Sequence, residues 1–244
     1  MQQQQQQQLT MMQFYGQHYP FLKPQLQQVT DLIENFLKRD VTEELELRIG
    51  SLVNGRFING VSLDFFERTL QLLEEFEGFS VRDDNWVQTV DYFYNYRGQN
   101  LRSRVSESGP VETIVKSVKE RHDIEISVDR DLGLQKLLPG AIRIQAAKEN
   151  VYFLGANDDL GMNLTLLRLK QRKQFVYKEW RFELSKVWTG TTFQEADRAF
   201  FTKDPAIYEI EIEFIGSSSK TPVQLAVSLL LKVLDFFPES VNLM

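Results

Sequence analysis

Two stretches of this sequence concentrate carboxylates at alternate positions. Near the start, Glu44-Leu45-Glu46-Leu47-Arg48-Ile49 puts two acids and a base on one side of an extended chain and three aliphatics on the other, because successive strand side chains point to opposite faces. Near the end, Glu209, Glu211 and Glu213 alternate with Ile210, Ile212 and Phe214. Between them the sign reverses. Arg168, Lys170 and Arg172 share a face backed by Leu167 and Leu169, and Arg181, Glu183 and Ser185 share one backed by Trp180, Phe182 and Leu184. Arg102 and Arg104 form a further pair, and Arg143 stands on another strand.

Two carboxylates 4 Å apart repel by about 4 kcal/mol at an effective dielectric near 20. Five glutamates crowded together would therefore not all stay ionised without a counter-charge. A hard divalent cation, Mg2+ or Mn2+, removes the conflict through oxygen ligands. The basic strands make a cradle for a compact polyanion such as a triphosphate. Metal and phosphate in one cavity imply phosphoryl transfer by positioning and charge stabilisation.

Composition narrows the alternatives. The 244 residues contain no cysteine, which excludes disulfides, thiolate zinc sites and a cysteine nucleophile. Histidine occurs only as His18 and His122, which argues against a Ser-His-Asp triad or a two-histidine metal site. The chemistry must run on carboxylates, Lys and Arg. A net charge of −6 argues against sequence-independent duplex binding. No apolar run approaches the roughly 18 residues of a membrane helix, and the N-terminus lacks the pattern of a signal peptide. The expectation is a cytoplasmic or nuclear protein with no membrane partner.

The elements that position these residues follow from periodicity. Residues 1–19, with glutamine from Gln2 to Gln8, read as a disordered tail, and 20–244 as a single domain. Apolar residues at helical spacing predict a helix from Pro24 to Arg39. A second is predicted to follow Ser62 as N-cap and to end before Gly78, and a third to run from Pro222 to Phe237 with Pro238 behind it. Period-two patterns predict strands near 43–49, 56–59, 87–95, 101–106, 112–120, 123–129, 141–148, 151–154, 163–171, 173–188 and 207–215, with an Asn54-Gly55 turn between the first two. The aromatic run Tyr92-Phe93-Tyr94-Asn95-Tyr96 reads as core and rim packing, with base stacking as the rival.

Any one of these strands could be half-buried with a solvated polar face. Together their charged faces are too pure in sign for that, since like charges along a strand repel. A shared polar lumen resolves the conflict. The fold expected is α+β: a closed antiparallel barrel of about eight strands around a charged interior, with flanking helices covering the apolar outer faces.

Here the residues resemble a known family. Glu44-Leu-Glu46-Leu-Arg48-Ile-Gly50 and Glu209-Ile-Glu211-Ile-Glu213 look like the metal-binding motifs of the triphosphate tunnel metalloenzymes, and more closely those of the metal-dependent RNA 5′-triphosphatases of fungi, protozoa and some DNA viruses. The resemblance spans roughly residues 41–215. It implies metal ligands Glu44, Glu46 and Glu213, with Glu211 and Glu209 supporting the metal and its waters. Arg143 followed six residues later by Glu149 is similar to the family's basic residue and its water-activating glutamate, although Ala147-Lys148-Glu149-Asn150 also reads as a turn. Arg104, Lys119, Arg143, Lys170 and Arg172 would grip phosphates, with Lys116 competing for the place of Lys119. Arg48, Arg168, Arg181, Glu183 and Ser185 would orient the acidic groups.

The activity the resemblance implies is release of the γ-phosphate from triphosphate-ended RNA, the first step of mRNA capping, together with hydrolysis of nucleoside triphosphates with manganese. The implied partners are triphosphate-ended RNA, nucleoside triphosphates and an RNA guanylyltransferase on another chain. The implied location is nuclear, or cytoplasmic for a viral protein. The same barrel also supports tripolyphosphatase, thiamine triphosphatase and adenylate cyclase activities. A non-catalytic polyphosphate or RNA-end binding module is the rival from another class.

Overall fold

The computed structural model of the chain describes residues 23–39, 43–106, 109–128, 140–153, 163–202, 206–216, 219–237 and 241–243. The glutamine-rich tail, His18, Leu154 and Pro238 lie outside them. In chain order the elements are α1 (Lys23–Leu37), β1 (Glu43–Val53), β2 (Arg56–Asn59), α2 (Leu63–Glu75), β3 (Val81–Arg82), β4 (Val87–Tyr96), β5 (Gln99–Ser106), β6 (Gly109–Val128), β7 (Ala141–Val151), β8 (Asn163–Tyr177), β9 (Trp180–Gly190), α3 (Phe193–Phe201), β10 (Ile207–Phe214), α4 (Pro222–Leu234) and β11 (Val241–Leu243).

Eight strands run in the antiparallel order β10-β9-β8-β4-β5-β6-β7-β1, and β1 pairs back onto β10 to close the barrel. The short β2, β3 and β11 attach to β1, β8 and β6. The closing seam joins the two acidic motifs. It sets Glu46 opposite Glu213 and Arg48 opposite Glu211, so the two acidic motifs, distant in sequence, become neighbours across one ladder.

The barrel is apolar outside. Leu45, Leu47 and Ile49 of β1, Ile142 and Ile144 of β7, and Ile210 and Ile212 of β10 are all buried in one core cluster with α1, α2 and α4. Helix α4 alone buries Val223, Leu225, Val227, Leu229, Leu230 and Val233 there, each contributing roughly 1.5–3 kcal/mol. Helices α2 and α4 are started by side-chain caps. Ser62 accepts from Phe65 N–H at the head of α2, and Thr221 forms a capping box with Gln224 at the head of α4. Asn54 and Gly55 turn β1 into β2 with φ of 52° and 72°, as a tight hairpin requires.

Several expectations differ from the structure. The stretch 173–188 is not one strand but the end of β8, a turn at Lys178 and Glu179, and most of β9. The stretches 112–120 and 123–129 are one strand, β6, interrupted by an irregularity between Val118 and Glu120. Residues 141–148 and the start of 151–154 are likewise one strand, so Glu149 lies in a ladder opposite Lys116 and not in a turn. Helix α3 was not expected. Its apolar residues alternate with charge over only nine positions, too few for a periodic signal, and it packs Ala196 and Phe200 against β8 and β9, with Phe200 on Trp188. Helix α2 ends at Glu75, with Phe76 as its C-cap, before Gly78 as expected.

Candidate active site

Each charged strand face contributes to one cavity of about 370 Å³ inside the barrel. From the seam come Glu44, Glu46 and Arg48 of β1 with Glu211 and Glu213 of β10. From β9 and β8 come Arg181, Glu183, Arg168, Lys170 and Arg172. The far wall supplies Asp91 and Phe93 of β4, Asn100, Arg102 and Arg104 of β5, Glu112 and Lys116 of β6, and Gln145 and Glu149 of β7. Among the described residues, eight carboxylates thus face eight Lys or Arg side chains.

The seam carboxylates are held by neighbours. Lys116 Nζ donates to Glu44 at 3.0 Å and to Glu46 at 3.1 Å, bridging the first two glutamates. Glu46 also accepts from Gln145 and sits 3.1 Å from Arg48. Arg48 Nε lies 3.1 Å from Glu211. Arg181 donates to Glu213. Burial alone would push the Glu211 carboxyl up; Arg48, Lys170, Arg168 and Lys116 override it and hold the carboxyl down at about 2. Glu213 goes the other way. Burial raises it, and the nearby Glu44 and Glu183 raise it further against the pull of Arg181. At Glu213 burial, helped by the two acids, outweighs the pull of Arg181.

Glu209 is 3% exposed, accepts from Arg168 and from Asn59 Nδ2, and stands 3.8 Å from Lys170. It supports the wall and does not line the cavity. Glu183 links Arg172 at 3.4 Å with Gln174 at 2.7 Å and accepts from the buried Ser185 at 3.3 Å. Glu149 lies 3.2 Å from Arg102 and 3.5 Å from Lys116.

Two residues expected at the phosphates lie elsewhere. Lys119 is exposed and falls at the β6 irregularity, where one extra residue breaks the alternation; Lys116 takes the inward place. Arg143 pairs in register with Arg48 but is drawn to Asp123, donating at 2.7 and 2.9 Å, with its guanidinium over the Phe57 ring. On β7 the cavity is lined by Gln145 and Glu149 instead.

Sequence reasoning missed Asp91, 1% exposed, which accepts from Arg104 at 2.6 and 3.0 Å and stands 3.8 Å from Lys170. Burial would raise its carboxyl, but the bonds and charge of Arg104, with Lys170 and Arg102, hold it below the usual range. One acid between Val90 and Tyr92 gives no local signal. Only the register Asp91 with Arg104 and Arg168 shows its place. Gln145 was missed for the same reason, whereas Phe93, read within the aromatic run as packing, lines the cavity. His122, the histidine that is described, lies 3.6 Å from Glu120 outside the cavity.

The donor set suits one kind of metal. Glu44, Glu46 and Glu213 offer only carboxylate oxygens, which fit Mg2+ or Mn2+ and no soft ion. Among the described residues no three acids converge as a ready metal cluster. The Lys116 ammonium stands between Glu44 and Glu46 in the position a cation would use.

A closed eight-strand antiparallel barrel with apolar flanks and a charge-lined lumen is the triphosphate tunnel fold. The structure of the S. pombe Pct1 RNA triphosphatase shares it with a TM-score of 0.61 at 16% identity, covering 85% of this chain and 91% of that one. The RNA triphosphatase domain of the mimivirus mRNA capping enzyme shares it with a TM-score of 0.60 at 12% identity, covering 89% and 97%. No protein-family model and no curated protein sequence matches this chain. At these identities the likeness is one of fold.

Proposed function

We propose that the protein is a divalent-metal-dependent RNA 5′-triphosphatase that releases the γ-phosphate of triphosphate-ended RNA, the first step of mRNA capping. The observation that carries this reading is the charge balance of the lumen, eight acids against eight bases among the described residues, with four of the acids gathered at the β1–β10 seam. A triphosphate end brings about four negative charges. A balanced lumen cannot neutralise them alone, whereas divalent cations at the seam make up the difference. The fold shared with two RNA triphosphatases supports the same reading.

In this reading Glu44, Glu46 and Glu213 hold the metal, with Glu211 and Glu209 behind them. When bound, the metal supplies charge stabilisation to the γ-phosphate oxygens. Arg104, Arg102, Lys170 and Arg172 grip the phosphates from the side and far walls. Lys116 leaves the Glu44–Glu46 bridge and turns its ammonium to the phosphates. Glu149, beside Arg102 and Lys116, orients the attacking water and accepts its proton. Arg48, Arg168 and Arg181 keep the acids aligned. The products are a diphosphate end and inorganic phosphate.

Phosphate release from triphosphate-ended RNA, ATP, tripolyphosphate and thiamine triphosphate, with and without manganese, tests the proposal. Manganese-dependent release from RNA, abolished by Glu46→Ala, is the expected result. Absence of release from RNA would refute it, and release from tripolyphosphate alone would assign the protein to the polyphosphate branch of the fold. Retained RNA binding with no turnover on any substrate would favour a binding module.

A further inference from the structure

We infer that Phe93 and Asn100 form a subsite for the nucleoside that carries the triphosphate, so that the tunnel separates a nucleotide or RNA end from a bare polyphosphate. The inference rests on reading the lumen as a triphosphate site.

Phe93 is the one aromatic side chain among the described cavity-lining residues, in a wall that is otherwise almost wholly charged. It can neither grip phosphate nor hold a metal. It is also outside the core cluster on the barrel's outer face, and it stays partly exposed. Its neighbours Tyr92 and Tyr94 fall on the other face of β4 and stack on each other, with ring centroids 6.4 Å apart.

Its position fits a platform. Strand β4 stands four strands from β1 by either route round the barrel, so Phe93 is across the lumen from the seam glutamates. Along β5 the inward positions run Arg104, Arg102, Asn100, and Phe93 pairs in register with Arg102. The cations thus give way to a ring and an exposed amide at one end of the phosphate wall. A ligand whose phosphates are held by Arg104 and Arg102 brings its next group, the ribose and base, against them. Aromatic rings stack on any base, and an amide both donates to and accepts from base or sugar. The ring's backbone is fixed. The β4–β8 ladder shifts register between Phe93 and Tyr94, and Thr165 Oγ1 donates to the Phe93 carbonyl at 3.1 Å.

The test is steady-state phosphate release by the full chain, with manganese, from a triphosphate-ended oligoribonucleotide, ATP and inorganic tripolyphosphate. Phe93→Leu is expected to raise KM for RNA and ATP about tenfold, equivalent to about 1.4 kcal/mol, while KM for tripolyphosphate stays within about twofold. Phe93→Tyr keeps the ring and restores KM for RNA and ATP, and Asn100→Ala shifts the same two substrates in the direction of Phe93→Leu. The subsite is overturned if Phe93→Leu moves all three substrates equally, or none of them. Should the unmodified protein release phosphate from none of the three, the triphosphate reading itself falls and takes the subsite with it.

Discussion

Replacing Asp91 by alanine tests how the lumen holds its own charge. Asp91 is 1% exposed and accepts two bonds from Arg104, and Lys170, itself 5% exposed in its side chain, stands 3.8 Å away. Removing one partner of a buried ion pair costs roughly 3–5 kcal/mol, because the other is left buried without compensation. The Arg104 side chain is 26% exposed, so water relieves part of that cost and the lower end, about 3 kcal/mol, applies. In a chain of 244 residues each kcal/mol moves Tm by about 2–4 °C, so the expected fall is about 6–12 °C. Calorimetry or denaturant unfolding measures it. The double variant Asp91→Ala/Arg104→Met should recover part of the loss, since it removes the stranded charge as well. The pH dependence follows from the lowered Asp91 carboxyl. A carboxyl depressed below its unfolded value near 3.9 contributes stability in full above about pH 4 and loses it as pH falls through the folded value. The cost of Asp91→Ala should thus be level between pH 5 and 8 and shrink below pH 4. A cost under about 1 kcal/mol, or costs in the double variant that simply add, would refute the account of Asp91 as the anchor of this wall.

Two further predictions concern placement. Lys116→Met should lower turnover of a triphosphate substrate at least about 100-fold, in keeping with loss of a charge-stabilising donor, while Lys119→Met and Arg143→Met stay within about threefold in the same phosphate-release assay; equal losses in all three would contradict the inward place of Lys116. At Gly50 a Cβ would meet the Ile58 carbonyl oxygen at 2.2 Å and the Phe57 ring at 2.8 Å. Gly50→Ala should therefore cost about 1–3 kcal/mol by overpacking of the β1–β2 hairpin, read as a fall in the unfolding midpoint. An unchanged midpoint would show that β2 yields freely.

The chemistry of the lumen was legible because alternation within a strand is local. Glu44 with Glu46, Arg168 with Lys170 and Arg172, and Glu211 with Glu213 each share a face by the two-residue period alone, whatever the rest of the chain does. Several such faces together demand a common interior, and the barrel follows from that demand. The caps at Ser62 and Thr221 and the Asn54-Gly55 turn are local in the same sense. Asp91 carries no such signal, since one acid among Val90, Tyr92 and Phe93 acquires its meaning only when β4 pairs with β5 and β8.

Lys116 and Lys119, three residues apart, fall on opposite faces by alternation, and only the pairing of β6 with β5 and β7 shows that Lys116 is the inward one. One extra residue in β6 reverses the facing of everything beyond it, and a bulge has no sequence signature strong enough to announce it. Arg143 keeps its parity with Arg48, but Asp123, brought alongside by the β6–β7 ladder, draws it out of the lumen. Which faces are charged, and with what sign, depends only on neighbours two residues away and can be read along the chain. The tertiary structure decided which charges meet, because pairing across strands far apart in the chain places Glu46 beside Glu213 and Asp91 beside Arg104.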